Sequence, residues 1–142
     1  FLVEEYALVF TADIDLSSFG PWYGNLTSNL EHFQESVQKV RSLNAQFLIS
    51  SHSRPVTEHI DQKLEKYGAI IEQRHEIVYR LLRQKAMTLE QLIDLKPIYR
   101  RHPDPAPVYR FFEGNMLRQH LAVLQSRGLV HYSEEEKLYE AR

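Results

Sequence analysis

Two residues of this chain have the types and the placement to hold a metal ion. Asp13 closes the run VFTADID, and His52 stands in LISSHSRPV. Each follows a short apolar, β-rich segment, and a helical pattern lies between them. Two parallel strands joined by a helix would bring both residues to one sheet edge, where layered α/β proteins build their sites. Carboxylate and imidazole are both good zinc or iron ligands. The spacing leaves a second reading open, in which Asp13 caps a loop and His52 is an ordinary exposed histidine. Asp15 and Arg54 are candidates to support such a site, or else a loop cap and a surface charge. Phe19, Trp22 and Tyr23 either wall a pocket or pack over the helix that follows.

The elements that would position these residues are legible in outline. Tyr6 to Thr11 reads as a buried strand. Ser17-Ser18, Gly20-Pro21 and Gly24-Asn25 mark a loop. Leu30, Phe33, Val37, Val40 and Leu43 recur at helical spacing, with Ser28 or Asn29 available as the N-cap. Ala45 to Ser50 is a second strand. Beyond Pro55 a long helix is expected from Glu58 to about Gln84, apolar at Ile60, Leu64, Tyr67, Ile71, Val78 and Leu81 and interrupted at Arg74. Thr88 with Gln91 forms a capping box for a shorter helix that Pro97 ends. HPDPAP is an extended loop. A third helix runs from about Tyr109 to Ser126, with Phe112, Met116, His120 or Leu121, and Leu124 inward and Gly128 as its C-cap. The tail reads as a β-hairpin with an acidic turn.

Composition narrows the function classes. The 142 residues suffice for one domain or two small ones. With 43% hydrophobic and 25% charged residues, the chain resembles an ordinary globular protein, and a net charge of -2 creates no general attraction for nucleic acid or membrane. No apolar run is long enough to span a bilayer. There is no cysteine, so a metal would be held by His, Asp or Glu, and a reducing, cytoplasmic setting is expected.

VFTADID resembles the strand-then-Asp segment of the metallo-β-lactamase superfamily, in which Ala12 stands where glycine is common. LISSHSRPV resembles that superfamily's last strand and final ligand histidine. The resemblance implies that Asp13 bridges two metals and that His52 completes the second metal site. It also implies an α+β chain: residues 1–57 as the C-terminal strand-helix-strand portion of an αββα sandwich, and residues 58–142 as a winged-helix-like domain of three helices and a hairpin. This arrangement is similar to the glyoxalase II-like and endoribonuclease-like hydrolases of the superfamily. The implied chemistry is metal-assisted hydrolysis by two zinc or iron ions in an intact parent, acting on an acyl or thioester small molecule. The signature His-x-His-x-Asp-His is not among the seven histidines, so those ligands are expected upstream of Phe1. The chain is accordingly expected to be a C-terminal fragment, inactive alone, that binds metal weakly or not at all and pairs with its upstream half or with itself.

Two other functions remain as alternatives, a nuclease of the same superfamily and a nucleic-acid-binding winged helix without catalysis. Residues 58–142 hold 14 basic and 13 acidic residues, a difference of +1, and Glu134, Glu135 and Glu136 occupy the hairpin turn. That is no basic footprint, and nucleic acid is not the expected partner. Arg100, Arg101 and His102 form the one local basic cluster.

Overall fold

The computed structural model describes residues 1–142. The chain is α+β, with strands β1 (Leu2–Val3), β2 (Leu8–Phe10), β3 (Phe47–Ile49), β4 (Val130–Ser133) and β5 (Leu138–Ala141). Its helices are α1 (Leu30–Ser42), α2 (Ile60–Gln84), α3 (Leu89–Leu95) and α4 (Ala106–Ser126). Two compact units are distinguishable: residues 1–22 with 29–71, and residues 23–28 with 72–142.

In the first unit, β2 lies between an antiparallel β1 and a parallel β3. The parallel pair suits the strand-helix-strand pattern, because a crossover of this kind is what a parallel neighbour needs. Val9 pairs with Leu48, and both point into the core. Their neighbours alternate outward, so Phe10 and Phe47 are 45% and 41% exposed, near an exposed Phe1 whose ring lies 6.3 Å from that of Phe10. The core gathers Ile14, Val37, Leu48, Ile60, Leu64 and Tyr67. Asn29, not Ser28, caps α1, its side chain accepting the His32 N–H at 2.9 Å. Arg41 on α1 donates through two nitrogens to Asp61 at the start of α2. Gly20 adopts φ +83°, and a Cβ there would sit 2.6 Å from the Ile70 side chain, so only glycine lets this loop lie against the helix.

In the second unit, the buried stripe of α2 continues through Arg74, His75, Val78 and Leu82. The expected Leu81 is only half-buried and Leu82 is buried instead: both continue the helical repeat from Val78, and what packs opposite selects Leu82. The capping box of α3 forms as the sequence predicts: Gln91 N–H donates to Thr88 Oγ1, and Thr88 N–H donates to Gln91 Oε1. Gly114 on α4 faces Ile93 on α3, where an added Cβ would meet Ile93 Cδ1 at 3.0 Å. Gly128 adopts φ +70° just beyond α4. Then β4 and β5 form the hairpin, with the paired Tyr132 and Tyr139 rings 4.6 Å apart and tilted by 39°. Met87 forms an isolated antiparallel bridge to β5, exchanging two backbone hydrogen bonds with Tyr139. No helix is long and apolar enough to cross a membrane.

Candidate functional site

Asp13 and His52 come together at the end of the parallel pair. Thr11 N–H donates to Ile49 O at 2.9 Å and Ser51 N–H to Ala12 O at 2.9 Å, so the ladder carries both strands out to the same edge. Ala12 turns there with φ +49°, the left-handed region that costs a residue with a Cβ. The turn directs the next residue outward. His52 Nε2 stands 3.4 Å from Asp13 Oδ1, with the two side chains 67% and 76% exposed. Both donor groups therefore face solvent.

The surrounding candidates divide. Asp15 is used by its own loop: its Oδ1 accepts the Ser17 N–H at 3.0 Å and the Tyr67 hydroxyl at 3.2 Å, which is the loop-cap reading. Arg54 is exposed. Phe19 and Trp22 are half-buried, whereas Tyr23 is almost completely enclosed. Tyr23 belongs to the second unit, where its hydroxyl meets Arg74 and His120.

The donor types at Asp13 and His52 fit zinc or iron, and 3.4 Å is a separation one bound ion can bridge. The donor number does not fit a complete site, because no group of three or more His, Asp or Glu side chains converges anywhere in the chain. Two protein ligands would leave an ion largely hydrated.

A second polar constellation was not anticipated. In the second unit Arg74, Tyr23, His120 and His75 form one buried hydrogen-bonded series. Burial pushes the Tyr23 hydroxyl up to about 12 against the lowering effect of Arg74, with Glu113 adding to the rise. Burial also holds His120 well below the ordinary imidazole range, reinforced by His75 and Arg74. His75 is lowered by burial, opposed by Glu72 and assisted by Arg127. The sequence signal was Arg74 inside an apolar repeat with a histidine beside it, a pattern that burial alone does not favour. Elsewhere in this unit Glu113, fully buried, accepts the N–H groups of Ile98 and Tyr99 at 2.9 and 3.0 Å and lies 3.4 Å from His102 Nε2.

Solved structures share this fold. A metallo-beta-lactamase family protein from Thermus thermophilus matches 100% of this chain with a TM-score of 0.79 and 24% identity, over 44% of its own length. A beta-lactamase domain protein from Burkholderia ambifaria matches 99% with a TM-score of 0.72 and 17% identity, over 43% of its length. The chain thus spans less than half of either protein. At these identities the likeness is one of fold, and the fold is that of the C-terminal part of a metallo-β-lactamase protein. No protein-family model and no curated protein matches the chain.

Proposed function

We propose that this chain is part of a metal-dependent hydrolase and that Asp13 and His52 supply one side of its dinuclear zinc or iron site. The observation that carries this is the 3.4 Å approach of Asp13 Oδ1 and His52 Nε2 at the ends of two parallel strands, in a fold shared with metallo-beta-lactamase family proteins. When bound, such ions supply Lewis acidity toward an acyl carbonyl and acidify water. Asp13 offers two carboxylate oxygens and so can serve both metal positions. His52 serves one, oriented by the rigid end of β3. The remaining ligands come from chain beyond these 142 residues, and the chain alone holds metal weakly.

In this reading residues 1–57 belong to the metallo-β-lactamase domain of the glyoxalase II-like branch, and residues 58–142 form a winged-helix-like domain. Three helical segments followed by β4–β5, with an isolated bridge from Met87 to Tyr139, support the latter. The apolar sheet face at Phe1, Phe10 and Phe47 supports a partner for the first domain: the rest of a longer protein or, for the isolated chain, a second copy. The substrate is a small acyl or thioester molecule in a cytoplasmic setting. A nucleic-acid role is disfavoured because Arg110 is engaged by Glu90 and Asp94 and Arg127 by Glu72, so these cations are already neutralised.

The test uses the intact protein. Metal content and turnover of thioesters and of RNA are measured for the wild type, Asp13→Ala and His52→Ala. Thioester turnover that falls with bound metal in both variants supports the proposal. Undiminished metal and turnover in both variants would falsify it.

A further inference from the structure

Four buried side chains form a continuous series that the proposed hydrolysis does not use. Arg74 Nη1 donates to the Tyr23 hydroxyl at 3.0 Å. That hydroxyl lies 2.6 Å from His120 Nε2, and His120 Nδ1 lies 2.7 Å from His75 Nδ1. None of the four is more than 5% exposed. The series starts on the Tyr23–Ser28 segment, which α4 also grips through its backbone: Gln119 donates to Tyr23 O at 2.9 Å and Asn115 to Gly24 O at 2.8 Å. His75 Nε2, at the far end, is buried with no hydrogen-bond partner.

Counting protons shows what the series can do. The two facing Nδ1 atoms share one proton. With none, two lone pairs would oppose each other at this distance; with two, the N–H groups would collide. Two neutral imidazoles carry two ring protons: when His120 Nε2 accepts the Tyr23 hydroxyl hydrogen, the shared proton belongs to His120 Nδ1 and the second rests on His75 Nε2. One further proton fills both Nε2 positions. His120 then points an N–H at the Tyr23 oxygen, which already accepts from Arg74, and the hydroxyl must turn its own hydrogen away. A second positive charge also appears beside Arg74 in a buried cluster, where it is poorly solvated.

We propose that this series is a one-proton latch: with both imidazoles neutral it pins the Tyr23–Ser28 segment to α4, and uptake of one proton in mild acid releases that segment. The charged groups facing it determine which ring takes the charge. On α2 these are Arg74, within the series, and Glu72, which favours charge on His75. From α4 and its end come Glu113, which acts on Tyr23, and Arg127, which acts on His75 while ion-paired with Glu72. His75 is therefore the ring that takes the charge, by accepting the shared Nδ1 proton as the added one fills His120 Nε2, and Tyr23 is where the effect is felt. Asn115 and Gln119 also line a groove of ≈ 360 Å³ together with Asn25, Leu26 and Arg118. Release of the segment removes one wall of that groove.

Amide hydrogen exchange on the full-length protein at about pH 7.5 and about pH 5.5, with intrinsic exchange rates divided out, tests the latch. Protection of residues 23–28 relative to α3 should fall about tenfold at the lower pH, and an unchanged ratio overturns the proposal. His75→Asn places an amide oxygen where Nδ1 accepts and removes the ring that takes the charge. It should keep the protection seen near neutrality and lose most of the fall; retention of the whole fall also overturns the proposal. Because a core variant can fail to fold, the wild-type imidazole C2–H exchange provides a second readout. A shared midpoint below the ordinary histidine value is expected, and two independent, unshifted titrations contradict the latch.

Discussion

The Nδ1 atoms of His75 and His120 lie 2.7 Å apart with their ring planes at 82°, so each ring spends a nitrogen on the other inside the protein. Burial lowers the pKa of both. Unfolding restores ordinary values near 6.5, so below that pH the unfolded chain binds more protons than the folded one. Stability is therefore full above about pH 6.5 and is lost as the pH falls from there through the folded values, by about 1.4 kcal/mol per pH unit for each histidine that stays neutral. Urea midpoints measured between about pH 7.5 and about pH 5.5 should be level and then drop, before most carboxylates titrate.

Glu113 carries the turn between α3 and α4. Its two oxygens accept the N–H groups of Ile98 and Tyr99 in a fully buried position. Glu113→Ala orphans both donors and should cost about 3–5 kcal/mol. Glu113→Gln keeps one acceptor oxygen and should cost about half as much. Equal losses for the two, read by denaturant unfolding, would show that side-chain volume rather than hydrogen bonding holds the turn.

Gly20 combines a left-handed φ of +83° with the close approach of Ile70. Gly20→Ala adds strain and a clash with a stiff β-branched side chain, and should destabilise by about 2–3 kcal/mol. Adding Ile70→Ala should recover part of that loss, because the backbone strain remains after the clash is removed.

Ala12 bears the opposite mismatch. Its φ of +49° suits glycine, and no side-chain hydrogen bond is lost on substitution. Ala12→Gly should stabilise by about 0.5–1 kcal/mol, the left-handed penalty less the added freedom of the unfolded chain. A thermal midpoint that moves down instead would mean the turn between β2 and Asp13 needs its methyl group.

Much of the architecture was legible because it is local. The α1 stripe from Leu30 to Val40, the Thr88–Gln91 capping box and the glycine after α4 each depend on residues a few positions apart. The α2 repeat was also readable, apart from the choice of Leu82 over Leu81, which depends on what packs opposite. Asp13 and His52 were paired by a topological argument: a helix between two strands permits a parallel return, and a parallel return puts both strand ends on one edge.

The sequence by itself therefore determined the helices, the hairpin, their order and a way to bring the two candidate metal donors together, because each follows from short-range spacing or a simple connection rule; the strand expected from Tyr6 to Thr11 is instead Leu8–Phe10, preceded by β1 and a 3-10 turn at Glu4–Tyr6. Tertiary structure alone decided the fate of the polar residues inside those elements. Asp15 became a loop cap, Glu113 a turn acceptor, and Tyr23, Arg74, His75 and His120 one buried series. Spacing cannot foresee this, because Tyr23 and His120 lie 97 positions apart. A buried polar group is stable only if a specific partner arrives from elsewhere in the fold.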